Sequence, residues 1–251
     1  MNLSKNQIKL IRSLGQKKFR QKYQYFVAEG SKIVLHTVKT SANIKLIYAL
    51  TDWIEEYSTI LDPVKDRIVP VSSRELKQIS FLNTPNDALV LLKMPDDLQN
   101  SVDTTRGLHF YVDRIQNPGN MGTIIRIADW FGFDSVIASE NCVDFYNEKT
   151  IQASMGAFLN VKLHRSSIQE LQYDHLVTSS LQGQNLYNTS IPENAIIVIS
   201  NEGEGVSDEL AKLSTMDVLI PSHPSNESES LNASVAAGII ASYIRQQSIN
   251  T

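Results

Sequence analysis

Apolar and polar positions change their period repeatedly along the 251 residues of this chain, and each change marks an element. Behind Ser4, a residue type that caps helix starts, Ile8, Ile11 and Leu14 recur at helical spacing, so the pattern predicts a helix over 4–20. Tyr25, Phe26 and Val27 predict a short strand ending at Glu29-Gly30, and SKIVLHTVK (31–39) predicts a helix opening on Ser31. IKLIYAL (44–50), DRIVPV (66–71) and ALVLLKM (88–94) read as strands, with SRELKQIS (73–80) as a helix before the last of them. Such alternation predicts a compact α/β unit over 1–96. Residues 97–107 are polar and aperiodic and read as a linker.

From 108 onward the apolar runs lose their alternation. LHFYVDRI (108–115), DSVIAS (134–139), VKLH (161–164), HLVTSSL (175–181), AIIVIS (195–200) and DVLI (217–220) are short, nearly continuous and bounded by turn residues. Runs of this kind suit a parallel sheet covered on both faces. Helices are predicted at about 120–131 and 231–247. The second opens on Asn232, Ala233, Ser234, Ala236, Ala237 and Gly238, small residues that allow close backbone approach. The expected division is 1–96, a linker at 97–107, and 108–251.

Composition narrows the class without naming it. An apolar fraction of 42% with 20% charged residues is that of an ordinary globular protein. No apolar stretch reaches the ~18 residues of a membrane span, and MNLSKNQIKLIRS lacks the apolar block of a secretory signal. The single cysteine, Cys142, excludes an intrachain disulfide and a cysteine-based zinc site, and the five histidines show no i, i+4 pairing. The expectation is a cytoplasmic protein with no metal. Charge is less even than the net −4 implies. Residues 1–40 carry nine Lys/Arg against the single acid Glu29, a net of +8, which leaves −12 for 41–251. A basic arm on an acidic body suits a polyanion such as RNA, although a lysine-rich helix can equally be a solvated face.

Three loops carry candidate chemistry, each at the end of a predicted strand, where open α/β sheets place their ligands. In the loop that opens QNPGNMGTIIRIADWFGF (116–133) the glycines stand only at 119 and 122, so the G-x-G-x-x-G spacing of a dinucleotide site is absent. Arg126 is the odd residue of its apolar helix; it is either a functional cation or the partner of Asp129 or Asp113. In IVISNEGEGVS (197–207), Gly203 and Gly205 imply positive φ or tight backbone approach. There Glu202 is either a partly desolvated group that needs a partner or a complement to a helix dipole. In IPSHPSNESESLNASVAAG (220–238), Ser230 and Asn232 open the last helix as caps do, but the polar loop before them is long for a plain connection.

Together, in this order, the three segments resemble the signature motifs of the SpoU/TrmH-type RNA ribose methyltransferases of the SPOUT superfamily. KKFRQKYQYFVAEGSKIV (17–34) resembles the family's substrate-binding domain, which is similar to ribosomal protein L30e. The resemblance implies an L30e-like N-terminal α/β domain and a C-terminal parallel-sheet α/β domain ending in a trefoil knot. It implies S-adenosylmethionine as cofactor, a homodimer, and methyl transfer to a ribose 2′-hydroxyl of RNA, with rRNA favoured over tRNA. Carried over by motif, the catalytic positions are Asn120, Arg126, Glu202, Ser230 and Asn232. The cofactor positions are Ser200, Asn201, Gly203, Ile220 and Leu231. Lys17, Lys18, Arg20 and Lys22 are expected on RNA phosphates. Two departures stand out: Ser200 occupies a place where the family often has glycine, and 222–229 carries Pro224 and about two additional residues. The rival expectation is a non-catalytic RNA- or ribosome-binding protein that keeps the fold.

Overall fold

The computed structural model describes residues 3–40, 42–95, 102–201, 203–225 and 227–249. Two compact units emerge: Met1–Asp96 with Asp144–Leu159, and Asp97–Val143 with Asn160–Thr251. The sequence-based division keeps 108–251 together, so the assignment of Asp144–Leu159 to the first unit is a difference. Its cause is local packing: Phe26 lies 4.5 Å from the Tyr146 ring and meets Phe158 edge-on at 5.8 Å.

In the first unit, α1 (Lys5–Ser13) starts on a reciprocal cap in which Ser4 accepts from the Gln7 amide and Gln7 accepts from the Ser4 amide. The helix expected over 4–20 is two helices, because the chain turns at Gly15, where a β-carbon would sit 2.8 Å from the Phe81 ring. A second helix, α2 (Lys17–Tyr23), follows and ends at Gln24 in the left-handed region, φ 56°. Then come β1 (Tyr25–Glu29), α3 (Ser31–Lys39), β2 (Ile44–Ala49), α4 (Thr51–Glu56) and α5 (Ser58–Leu61). A 3-10 stretch over Asp62–Arg67 takes up the start of the strand expected at 66–71 and leaves β3 as Ile68–Pro70. The Ser72–Glu75 capping box opens α6 (Ser73–Ile79), and β4 (Ala88–Lys93) closes the sheet in the order β1-β4-β2-β3. Ile11, Leu14, Val27, Tyr48, Ile79 and Leu89 form its core.

The second unit holds a six-stranded, wholly parallel sheet in the order β10-β8-β9-β5-β6-β7. Its elements are β5 (Leu108–Asp113), α7 (Pro118–Phe131), β6 (Ser135–Ala138), β7 (Lys162–Arg165), β8 (Leu176–Asn185), β9 (Ala195–Ser200), α9 (Asp208–Leu213), β10 (Met216–Leu219) and α10 (Ala233–Ile249); the intervening α8 (Glu148–Ser154) belongs to the first unit. Thr104, in the expected linker, is buried and donates to the Gln172 carbonyl at 2.5 Å, so this part of the segment is tied into the unit. Residues 97–101 lie outside the described residues.

Strand β8 outruns its expected end at 181 because β10 pairs with it in two stretches, Met216↔Val177 and then Leu219↔Asn185, with a register shift between Asp217 and Val218. Glycine makes the second stretch possible, since a β-carbon at Gly183 would lie 2.5 Å from the Val218 backbone. From the central β5 the chain moves outward to β6, whereas from its neighbour β9 it moves the other way to β10. The carboxyl ends of β5 and β9, with Asp113 opposite Ser200, are therefore the switch point at which an open α/β sheet leaves a crevice.

Candidate active site

Two of the three loops leave the sheet side by side at this switch point. The first follows β5. Arg114 takes a left-handed conformation (φ 56°), uncommon for a residue with a side chain, and sits at a junction of polar contacts. Its Nε donates to Asp113 at 2.8 Å, its Nη1 pairs with Glu204, and its Nη2 donates to the Gly205 carbonyl at 2.9 Å. The bonded Asp113 carboxylate holds the Arg114 guanidinium above its ordinary pKa. Ser139 anchors the Arg114 amide at 3.2 Å, and the Arg114 carbonyl accepts from Asn201 Nδ2 at 3.2 Å. The loops after β5 and β9 are thus laced together through one residue. Sequence reasoning missed Arg114; the available signal was an Asp-Arg pair ending a buried strand.

The expected residues fall as follows. Asn117 Oδ1 accepts from the amides of Gly119 and Asn120 and so starts α7. Asn120, in the first turn, accepts at Oδ1 from Asn232 Nδ2 at 3.1 Å. Asn232 also accepts from the Ser234 amide at 3.0 Å, so it caps the last helix and reaches the first motif at once. Asn201 Oδ1 accepts from the Gly203 amide at 2.9 Å. The Ser200 hydroxyl is buried with no hydrogen-bond partner among the described residues. Ile220 is half-buried, Ser230 is exposed, and Leu231 is 46% exposed. Glu202 lies outside the described residues.

Arg126 is exposed on α7. Both acids that offered it an ion pair are otherwise held, Asp129 by Asn160 at 3.1 Å and Asp113 by Arg114. A solvent-facing guanidinium left unneutralised by these acids can hold an anionic oxygen. Of the two glycines in the second loop, Gly205 has a positive φ (64°), whereas a β-carbon at Gly203 would meet Asn201 Oδ1 only at an ordinary 3.6 Å. The expectation of backbone constraint therefore holds at Gly205 and not at Gly203.

The basic arm needs one correction. Lys17, Lys18 and Lys22 are exposed, but Arg20 is 2% exposed. Its guanidinium donates to Asp144 at 2.7 Å and 3.0 Å and to the Leu14 carbonyl at 2.7 Å, so it is a structural ion pair and is inaccessible to phosphate.

Asn232 meets Asn120; Asn201, next in sequence to Ser200 and its hydroxyl, meets the Arg114 carbonyl; and Ile220 and Leu231 add apolar side chains. Groups of these kinds suit a ligand with both polar and aromatic parts. The profile of the SpoU rRNA methylase family matches residues 107–242, and that of the MRM3-like substrate binding domain matches 5–90. The 23S rRNA (guanosine(2553)-2′-O)-methyltransferase RlmP of Bacillus subtilis is 26% identical over 96% of this chain and 97% of its own length. A TrmH-family structure from Porphyromonas gingivalis shares 31% identity and a TM-score of 0.86, covering 98% of this chain and all of that one. An AdoMet-bound rRNA methyltransferase from Sinorhizobium meliloti, at 22% identity, 98% and 97% coverage and a TM-score of 0.83, shares the fold. The chain belongs to the SpoU rRNA methylase family.

Proposed function

We infer that this chain is an S-adenosylmethionine-dependent RNA methyltransferase acting on a ribose 2′-hydroxyl, with ribosomal RNA favoured over transfer RNA. The observation that carries the reading is the meeting of the motif segments: Asn232 bonded to Asn120, and Asn201 bonded to the Arg114 carbonyl at the β5/β9 strand ends. Family membership and the activity in the name of the Bacillus relative support it.

Ser200, Asn201, Gly203, Ile220 and Leu231 would hold the cofactor, the hydroxyl and amides against its polar groups and the two aliphatic side chains against its adenine. When bound, S-adenosylmethionine supplies an electrophilic sulfonium methyl. A ribose hydroxyl is a weak nucleophile; its proton passes to solvent as it is methylated, and the charge that develops on the oxygen needs a fixed cation and oriented donors. Arg126 is suited to that part. Its planar guanidinium offers a fork of N–H donors, which suits it to clamp the nucleophilic oxygen or the adjacent phosphate. Asn120, Glu202, Ser230 and Asn232 are proposed to orient it and the substrate.

The functional division proposed is RNA binding by 1–96, an L30e-like domain, and methyl transfer by 108–251, joined through 97–107. We further propose that the segment entering α10 threads a trefoil knot and that two copies pair through α10 to form a homodimer in the cytoplasm. Support comes from the packing of α10 on α7 and β9 and from the exposed Val235 and Tyr187. Calorimetry with S-adenosylmethionine, together with mapping of ribose methylation in RNA from cells with and without the gene, tests the activity. Saturable cofactor binding and one missing 2′-O-methyl group are expected. No binding and an unchanged map would instead favour the non-catalytic RNA-binding reading.

A further inference from the structure

We propose that the outward face of α2 is a stacking platform for an unpaired RNA base, with Lys18 and Lys22 set for the flanking phosphates. The proposal rests on the RNA-substrate reading and extends it to the kind of RNA bound. Lys18 and Lys22, and likewise Phe19 and Tyr23, stand four residues apart, so each pair shares a helix face. The two rings lie nearly parallel, 12° apart, with centroids at 6.2 Å. The Lys18 ammonium sits 5.0 Å from the Phe19 centroid and that of Lys22 sits 5.5 Å from the Tyr23 centroid.

An aromatic pair on a short helix ordinarily packs inward. Here the inward position is taken by Arg20, bonded to Asp144 and the Leu14 carbonyl, while Phe19 is half-buried and Tyr23 is 38% exposed. The same bonds pin the helix, so its outer face is already in place and little ordering is needed on binding. No acid occurs before Glu29, and neither lysine has an ion-pair partner among the described residues. Cations resting on aromatic faces match a chemistry that alternates negative charge with flat rings, as single-stranded RNA does. An acidic protein would satisfy the lysines but leave the rings without a use, and a duplex would keep its base faces hidden.

The test uses the full chain and fluorescence anisotropy with a labelled single-stranded RNA and a duplex of the same length, over a salt series. Phe19→Leu with Tyr23→Leu is expected to weaken single-strand binding roughly ten- to hundredfold, with duplex binding and the salt slope unchanged. Lys18→Gln with Lys22→Gln should lower the slope on both RNAs. Tyr23→Trp, which enlarges the ring, should tighten single-strand binding and keeps the platform testable even if the double variant unfolds. Undiminished single-strand binding, an equal loss on duplex, or displacement by polyglutamate as effective as by RNA would each overturn the proposal, the last in favour of an acidic protein partner. Calorimetry with S-adenosylmethionine separates the two levels. Intact cofactor binding with ring-independent RNA binding overturns only the platform, whereas a wild-type protein that takes neither RNA nor cofactor overturns the parent reading as well.

Discussion

Arginines illustrate how far a residue's neighbours decide its part. Arg126 faces solvent, and among the described residues Asp129 and Asp113 are engaged by Asn160 and Arg114, in keeping with the substrate-facing role proposed for it. Arg126→Ala is expected to lower single-turnover methylation by about 10²–10³-fold, the loss seen when one transition-state donor is removed, while calorimetry finds cofactor affinity nearly unchanged. Arg20 is the opposite case. With its guanidinium buried against Asp144, Arg20→Gln leaves the Leu14 carbonyl without its donor and a half-buried carboxylate without its cation, and should cost about 3 kcal/mol in urea denaturation. A surface arginine would cost almost nothing. The two were not separable in the sequence: Arg126 is the odd cation of an apolar helix and Arg20 stands among Lys17, Lys18 and Lys22, and neither position shows which acid the fold brings up to it. Arg114 showed in the sequence only as half of an Asp-Arg pair ending a strand, because its importance depends on a positive φ and on the register that sets β5 beside β9. Asn120, Asn201 and Asn232 were singled out by the resemblance to the family's motifs, and the pattern of the sequence alone marked Asn232 only as a helix cap.

At the scale of elements, apolar strands with turn residues at both ends were readable from pattern alone, and the capped helices α1 and α6 started where Ser4 and Ser72 stand. Less regular pieces were not. The stretch Thr51–Arg67 breaks into α4, α5 and a 3-10 turn too short to show a period, and the helix break at Gly15 depends on a distant Phe81 ring. The two-part pairing of β8 with β10 was equally hidden, since it depends on Gly183 passing the Val218 backbone. Gly183→Ala should therefore destabilise the chain by about 1–3 kcal/mol, read from its denaturation midpoint, through forced overpacking. Gly203→Ala serves as the contrast. With ordinary space for a β-carbon it should stay within about 0.5 kcal/mol of wild type. Equal effects at the two sites would mean that close approach is not what Gly183 provides.

For the whole molecule the governing fact is charge that does not spread evenly. Residues 41–251 sum to −12 and residues 1–40 to +8, so the net attraction for a polyanion is concentrated in the N-terminal segment. With Arg20 committed to Asp144, the cations of α2 that remain open to solvent are Lys17, Lys18 and Lys22. Each phosphate neutralised on a single strand contributes about 0.7 to the slope of log affinity against log salt. If all three lysines meet phosphates, Lys17→Gln, Lys18→Gln and Lys22→Gln together should lower that slope by about 2. Arg20→Gln, measured in the same titration on folded protein, should leave it where it was. A slope that drops with Arg20 and not with the lysines would reverse this division of labour. An unchanged slope in every variant would move RNA binding away from α2 altogether, because attraction to phosphate must appear in the salt dependence wherever the cations that provide it lie.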